Sequence, residues 1–113
     1  MLNMSQIFPE PILNLPKADI PLEGIKAYIS QGEKHQIIFM EFTEEVCIPE
    51  HSHESQWEIG LQGKVDYWEE GAKYSYSKGV RFLVHKGKKH SAKVYAGYAS
   101  IVFFNQKERY KKK

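Results

Sequence analysis

Two histidines separated by one residue, His51 and His53, are the part of this sequence with the clearest chemical potential. On a β-strand the side chains of residues i and i+2 lie on the same side, so these two imidazoles would project together. Two converging imidazoles suit a divalent transition metal. The alternative is a pair of surface histidines on a polar loop, because a three-residue motif also occurs by chance. The chain has five histidines, and four of them fall between His51 and His90.

The segment after the histidine pair brings two more polar side chains to one side of a predicted strand. Gln56 and Glu58 alternate with Trp57, so they share the face opposite to the large apolar one. If the polar face points inward, Trp57, Ile59 and Leu61 need cover from the N-terminal arm or from a second subunit. If the apolar face lines the core instead, Gln56 and Glu58 leave the site. We favour the inward orientation of the polar face.

Short β-strands must position these residues. From Gly24 onward, segments rich in Val, Ile, Tyr, Phe and Trp alternate with turns, most of which contain glycine, and no stretch carries a helical apolar period. Many short strands at intervals of about 8–12 residues predict an all-β protein with an antiparallel sandwich or barrel. The predicted strands are Ile25–Ile29, Gln36–Phe42, Gln56–Leu61, Val65–Trp68, Lys73–Tyr76, Arg81–Val84, Ala92–Tyr95 and Ser100–Asn105.

The chain divides into three parts. Residues 1–24 are rich in proline and predict an extended N-terminal arm with one short pairing segment. Residues 25–106 make up the barrel domain. Residues 107–113 are mostly basic, and we expect this C-terminal tail to fray into solvent.

The composition argues against several classes of function. With 113 residues, of which 42% are hydrophobic and 27% charged, the chain suits one soluble globular domain. Its net charge of +2 comes from the basic tail, so the sequence does not predict a basic groove for nucleic acid. The single cysteine, Cys47, cannot form an internal disulfide, and we see neither a membrane-spanning apolar run nor a signal peptide. We expect a cytoplasmic protein without nucleic-acid or membrane partners.

Two motifs in the chain resemble those of the cupin superfamily. The first cupin motif is a glycine, a His-x-His pair, three or four residues, a glutamate, six residues and a glycine. The second is a glycine, five residues, a proline, one residue, a glycine, two residues and a histidine. The first is matched at His51, His53 and Gly63, and the second at Gly79, Gly87 and His90, with His85 in the proline position. The resemblance covers about residues 35–105. It implies a small single-domain cupin, an antiparallel double-stranded β-helix or jelly-roll barrel, which commonly pairs as a homodimer.

The resemblance also implies that three histidines hold a divalent transition metal. These histidines are His51, His53 and His90. The ligand types do not distinguish iron, manganese, nickel, copper and zinc. For the fourth ligand, passing over four residues after His53 reaches Glu58, whereas passing over six before Gly63 reaches Gln56. By resemblance to cupins that use glutamine, we favour Gln56 as the ligand and Glu58 as a catalytic carboxylate one layer deeper; Glu58 as the direct ligand remains the alternative.

An amide ligand would leave the positive charge of the metal ion uncompensated and would favour an anionic or enolisable substrate.

Three functions remain open on the sequence alone. The first hypothesis is a metalloenzyme, a dioxygenase, isomerase or lyase in which Glu58 or His85 moves a proton on a small oxygenated molecule. His85 would then be a proton shuttle at the mouth of the barrel, whereas the alternative is an exposed turn residue. The other hypotheses are a barrel that binds a small ligand without turnover and a barrel that the metal only braces.

Overall fold

The computed structural model describes residues 7–113, and nearly all of its regular structure is short antiparallel β-strand. Within this range no helix has the length and hydropathy needed to cross a membrane. The all-β fold class predicted from the sequence is confirmed. The elements are helix α1 (Glu10–Leu13) and strands β1 (Ile25–Gln31), β2 (Gln36–Phe42), β3 (Val46–His51), β4 (Gln56–Gln62), β5 (Lys64–Glu69), β6 (Ala72–Ser77), β7 (Arg81–Val84), β8 (His90–Val94) and β9 (Ala99–Phe104).

The strands form two sheets that pack face to face. One sheet has five strands in the order β1-β2-β9-β4-β7, and the other has four in the order β3-β8-β5-β6. Every pair of neighbouring strands is antiparallel. From β2 to β5 the chain changes sheet at each connection, and it does so again from β6 to β9. This repeated crossing is the arrangement of a jelly roll.

The alternation of side chains along the strands separates the interior from solvent. In β2 the buried residues are every second one, from Gln36 to Phe42. The buried cluster contains side chains of both sheets, such as Ile38 of β2 and Val94 of β8. The same period of two aims alternate residues of β4 into the barrel, so the site and the core are built on the same faces of the sheets.

The turn between β4 and β5 requires a glycine. Gly63 has a φ angle of 77°, in the left-handed region that residues with a Cβ rarely adopt. A Cβ at this position would lie 2.6 Å from the Cα of Tyr98. Gly63 therefore lets the backbone of Tyr98 approach closely, and the side chain of Tyr98 reaches the candidate site described below.

Strand β3 is not predicted by the sequence, yet it positions a histidine. Its buried positions alternate poorly, and Pro49 near its end is typical of a loop or a sheet edge. The strand pairs with β8, with an irregularity between Ile48 and His51, and this pairing places His51 opposite His90. Cross-strand pairing thus brings together two histidines that are far apart in the sequence.

The basic C-terminal tail is anchored, so the expectation that it frays into solvent is wrong. Lys112 forms an isolated β-bridge with Ala18 of the N-terminal arm. The side-chain amide of Gln36 holds the backbone of Tyr110: Nε2 donates to the carbonyl at 2.9 Å, and Oε1 accepts from the N–H at 3.1 Å. Because these backbone groups find partners in the fold, the tail lies against the barrel despite its charge.

The N-terminal arm covers part of the outer face of the five-stranded sheet. The ring of Phe8 packs edge-on against Phe39 and Tyr28, with centroid distances of 5.6 and 6.4 Å. Trp57 and Leu83 lie on the same outer face, towards its other edge, and are 42% and 51% exposed. The described part of the N-terminal arm, from residue 7 onward, therefore covers β1 and β2 and leaves the outer face of β4 exposed.

Candidate metal centre

Three histidines lie together at the mouth of the barrel. His51 ends β3, His53 lies in the connection between β3 and β4, and His90 begins β8. Each offers one ring nitrogen, and the three nitrogens lie within 4.8 Å of one another. The Nε2 atoms of His53 and His90 are 3.1 Å apart. The fold therefore brings together the three histidines that the sequence singled out.

The convergence of His51 and His53 has a different cause from the one predicted. Only His51 lies on a strand, so alternation along a strand does not align the two rings. Instead, the N–H of Gly87 donates to the carbonyl of His53 at 3.0 Å. This hydrogen bond ties the connection that carries His53 to the turn that precedes His90. The cluster is thus set by the contact between two loops and by the pairing of β3 with β8.

A backbone carbonyl orients each of the three imidazoles. The carbonyl oxygens of Pro49, Glu54 and Lys88 lie 2.8, 2.6 and 2.9 Å from Nδ1 of His51, His53 and His90, respectively. A carbonyl can only accept a hydrogen bond, so Nδ1 carries the proton in each neutral ring and Nε2 keeps its lone pair. Such contacts fix the tautomer and the orientation of histidines that bind metals.

Burial also favours the neutral form of two of these rings. It lowers the pKa of His53 to about 4 and lowers the pKa of His90 as well. A metal ion binds neutral imidazole, so the protonation state suits a ligand. Two nitrogens that each lie about 2.1 Å from one ion are roughly 3.0–3.4 Å apart for bond angles of about 90–110°. The separation of 3.1 Å between the Nε2 atoms of His53 and His90 lies in this range.

Gln56 and Glu58 face the interior, in the orientation that we favoured from the sequence. Both line the same cavity as the histidines, whereas Trp57 between them is exposed. Nε2 of Gln56 donates to Oε1 of Glu58 at 2.7 Å, and the hydroxyl of Tyr98 donates to Oε2 at 2.5 Å. Because its nitrogen faces Glu58, the amide of Gln56 keeps its carbonyl oxygen for another partner.

Glu58 is a deeply buried carboxylate. Burial raises its pKa above the ordinary value of 4.5, although the hydrogen bonds from Tyr98 and Gln56 favour the ionised form. Among the described residues, the cluster of potential ligand atoms comprises the three histidines and does not include Glu58. Glu58 thus lies on the wall of the cavity outside the histidine cluster, and both the assignment of Gln56 as the ligand and that of Glu58 as a catalytic carboxylate stay predictions.

A cavity of about 310 Å³ lies between the two sheets. Most of its lining is aliphatic or aromatic, as in sites that bind small molecules. The polar side chains of the lining are His51, His53, Gln56, Glu58, Tyr67, His90, Tyr98, Arg109 and Tyr110. A second hollow outside the cavity shares His51, His53 and Arg109 with it. These three residues therefore mark the mouth.

Tyr98 and Arg109 are among the polar residues of the cavity that the sequence analysis does not predict. Tyr98 follows a glycine turn and resembles any other aromatic residue at the start of a strand, yet it is only 1% exposed. Arg109 belongs to the tail that we expected to be solvated. The tail contains four lysines and one arginine, and the arginine stands beside a tyrosine. Arginine stacks on aromatic rings better than lysine does, so this pair is a weak signal of a packed side chain.

His85 is not brought to the site. It is exposed and lines neither the cavity nor the outer hollow. Its carbonyl accepts a hydrogen bond from the N–H of Lys88 at 3.2 Å, within the turn that precedes β8. The alternative considered from the sequence, an exposed turn residue, describes its position.

Several solved structures resemble this one. An RmlC-like cupin from Shewanella frigidimarina matches with a TM-score of 0.75 at 19% identity, over 92% of this chain and 94% of that chain. KdgF from Halomonas sp. matches with a TM-score of 0.68 at 20% identity, over 80% of this chain and 87% of that chain. A single-residue variant of oxalate decarboxylase from Bacillus subtilis matches with a TM-score of 0.69 at 15% identity, over 85% of this chain and 28% of that chain.

At the level of sequence, no protein-family model and no curated protein matches the chain. Identities of 15–20% over most of the chain indicate a common fold and leave the chemistry open. The two crossing antiparallel sheets agree with these matches and with the motif resemblance noted above. The chain has the cupin fold.

Proposed function

We propose that this chain is a metal-dependent enzyme that moves a proton on a small oxygenated molecule, in isomerase or lyase chemistry. The observation that carries the proposal is that three oriented imidazoles and a buried carboxylate, Glu58, line one small cavity. A purely structural metal site would not need a carboxylate with a raised pKa on the wall of the same cavity. This carboxylate also favours proton transfer over the dioxygenase chemistry considered from the sequence.

The donor set fits a divalent transition metal. His51, His53 and His90 present Nε2 lone pairs, and the amide oxygen of Gln56 supplies a fourth donor on the same cavity. Three imidazoles with one neutral oxygen suit iron, manganese, nickel, copper or zinc. When bound, such an ion would act as a Lewis acid that polarises a substrate oxygen.

Glu58 is the residue that we assign to proton transfer. A carboxylate has about four lone-pair positions, and the donors from Tyr98 and Gln56 use one on each oxygen. The remaining positions can take a proton from a carbon next to a carbonyl and return it to another atom of the same molecule. Because burial raises its pKa, Glu58 is a stronger base when ionised than a carboxylate in water.

Metal titration tests the site itself. The protein is stripped with EDTA and titrated separately with Zn²⁺, Mn²⁺ and Ni²⁺, and we expect one ion per chain. His90→Ala should weaken binding about 100-fold or more, because it removes an oriented ligand. The matched control is His85→Ala, which removes an exposed imidazole five residues away and should leave the affinity within about twofold. Equal affinities for the wild type and His90→Ala would refute the metal site.

A second pair of variants separates the two candidate ligands. Gln56→Ala should weaken metal binding, whereas Glu58→Gln should retain the ion because an amide oxygen still accepts from Tyr98. The reverse pattern would assign Glu58 as the ligand and withdraw its role in proton transfer.

Hydrogen exchange tests the activity. In D₂O, the metal-loaded protein should accelerate exchange of the protons next to the ketone of 2-oxobutanoate or of pentane-2,3-dione, as followed by proton NMR. The EDTA-treated protein and heat-denatured protein give the background. A protein that binds the metal and these compounds without accelerating exchange would be a binding module, and the enzyme proposal would fail.

A further inference from the structure

An arginine from the C-terminal tail lines the cavity. Arg109 contributes to the wall of the inner cavity and to the outer hollow, so it lies where the two meet. The other tail residue on the cavity wall is Tyr110. Among the described residues that line the inner cavity, Arg109 is the only lysine or arginine. A small molecule that enters between the sheets therefore passes a fixed positive charge.

The position of Arg109 is determined by several contacts. Its guanidinium lies over the ring of Tyr110 at 4.4 Å and over the ring of Phe104 at 5.6 Å. The backbone of Tyr110 is held from the other side by the buried amide of Gln36. Earlier in the tail, Nε2 of Gln31 donates to the carbonyl of Lys107 at 2.8 Å. The guanidinium is thus held by packing and by an anchored backbone, as a recognition residue requires.

The charge of Arg109 has no carboxylate partner within residues 7–113. The ion pairs of these residues involve lysines only, for example Lys86 with Glu54 at 3.5 Å on the outer hollow. The Nε atom of Arg109 is buried and makes no hydrogen bond to another described residue. Stacking on rings uses the face of a guanidinium and leaves its N–H edge available. A donor without a partner is costly, and because Arg109 lines the cavity, its guanidinium can take an acceptor that is bound there.

We propose that Arg109 selects substrates that carry a carboxylate next to or near a carbonyl, such as 2-oxo acids. The inference rests on the proposed function, because it names the substrate class of the same cavity. A guanidinium binds a carboxylate through two parallel hydrogen bonds, which gives both affinity and orientation. Arg109 shares the mouth with His51 and His53, so a carboxylate held there keeps the adjoining oxygen atoms close to the histidine cluster.

A pair of isosteric ligands tests the inference. We compare 2-oxobutanoate with pentane-2,3-dione, which replaces the carboxylate by an acetyl group, in titrations of the metal-loaded protein and of the EDTA-treated protein. The wild type should prefer the acid, and Arg109→Gln should weaken binding of the acid by about 10- to 100-fold while the diketone changes by less than about twofold. Arg109→Lys should recover only part of the loss, because an ammonium lacks the planar fork.

A matched control removes the same charge from the same tail. Lys107→Gln alters an exposed residue that lies outside the cavity, and it should leave both affinities unchanged. Because Arg109→Gln also disturbs the packing on Tyr110, Arg109→Met serves as a second variant that keeps a long apolar stem against the rings.

Two results would overturn the inference: equal weakening of acid and diketone in both Arg109 variants, which indicates a structural role, or no weakening of either. Failure of the proposed function looks different. If the histidines bind no metal, the EDTA-treated protein still reports whether the acid is preferred through Arg109.

Discussion

Two carboxylates of this barrel, Glu58 and Asp66, accept hydrogen bonds from similar donors, yet their pKa values are shifted in opposite directions. Glu58 faces the interior and accepts from the hydroxyl of Tyr98 and the amide of Gln56. Asp66 lies on β5, where its neighbours Val65 and Tyr67 face the cavity, so its own side chain faces outward. The pKa of Glu58 is raised, whereas the pKa of Asp66 is lowered.

The partners of Asp66 resemble those of Glu58, and both residues are buried, with 3% and 8% of their surface exposed, so exposure alone does not explain the opposite shifts. Asp66 accepts from the hydroxyls of Ser75 and Tyr95, both at 2.7 Å, and these two hydrogen bonds are the main cause of its lowered pKa. Lys64 and Lys73 also approach Asp66 at 3.9 Å. Among the described residues, no positive charge contributes to the pKa shift of Glu58, and burial is its largest cause and raises the pKa. For Glu58 the effect of burial therefore exceeds that of its hydrogen bonds, whereas for Asp66 the hydrogen bonds exceed the effect of burial.

Neutralising Glu58 and neutralising Asp66 should have very different effects on the rate at which the protons next to the ketone of 2-oxobutanoate exchange in D₂O. We expect Glu58→Gln to lower the rate about 100- to 10,000-fold, the range that general acid–base catalysis contributes. Asp66→Asn, outside the barrel, should leave the rate within about twofold. Metal content is measured in both variants. A comparable loss of exchange rate in both variants would mean that Glu58 acts through the stability of the protein. The contrast between the inward carboxylate and the outward one would then have no bearing on catalysis.

The two tyrosines allow a finer comparison. Tyr98→Phe removes the donor to Oε2 of Glu58 and keeps the ring, so the carboxylate loses orientation and stabilisation of its charge. We expect the exchange rate to fall about 10-fold and its dependence on pH to shift upward, because that hydrogen bond favours the ionised form. Tyr95→Phe removes the corresponding donor to Asp66 and is the control, with an unchanged exchange rate. Identical rates for Tyr98→Phe and the wild type would show that this donor does not assist Glu58.

The sequence predicts the barrel from local alternation, and it predicts the histidine cluster from the spacing of the two motifs. Strand alternation places Gln56 and Glu58 on one face of β4 but leaves open whether that face points inward, and the motif spacing selects His51, His53 and His90. The reason for the convergence of His51 and His53 lay outside the sequence pattern, since it depends on a contact between two loops.

The residues around Glu58 and the mouth could not be inferred in the same way. Tyr98 reaches Glu58 over 40 positions of sequence, and no local signal marks that contact. The sequence did not indicate Arg109 as a cavity residue, because a lysine-rich end of a chain usually indicates a solvated tail. Its anchoring depends on the long-range clamp from Gln36 to Tyr110, which a single sequence does not reveal.

The stability of the metal-free protein should depend on pH with opposite signs for the two carboxylates. The lowered pKa of Asp66 contributes stability that is present above its ordinary value of 3.8 and is lost as pH falls through the folded-state value. Asp66→Asn should therefore lower the melting temperature at pH 7, and the difference should vanish in acid. Glu58 has a raised pKa, so its ionisation opposes folding increasingly as pH rises above 4.5. Glu58→Gln should gain stability relative to the wild type over that interval, and differences of the same sign in both variants would contradict the comparison.

The smallest effect on the site is expected from the outer face of β4. Trp57 lies between Gln56 and Glu58 in the sequence but points away from them, and it is 42% exposed beside Leu83. The homodimer implied by the cupin resemblance stays a prediction. Burial of Trp57 and Leu83 between two copies of the chain would stabilise such a dimer. Replacing both residues by serine should shift sedimentation from dimer to monomer and leave metal affinity within about twofold. A large loss of metal affinity would show that the two faces of β4 are energetically coupled, because a residue pointing outward would then control ligands that point inward.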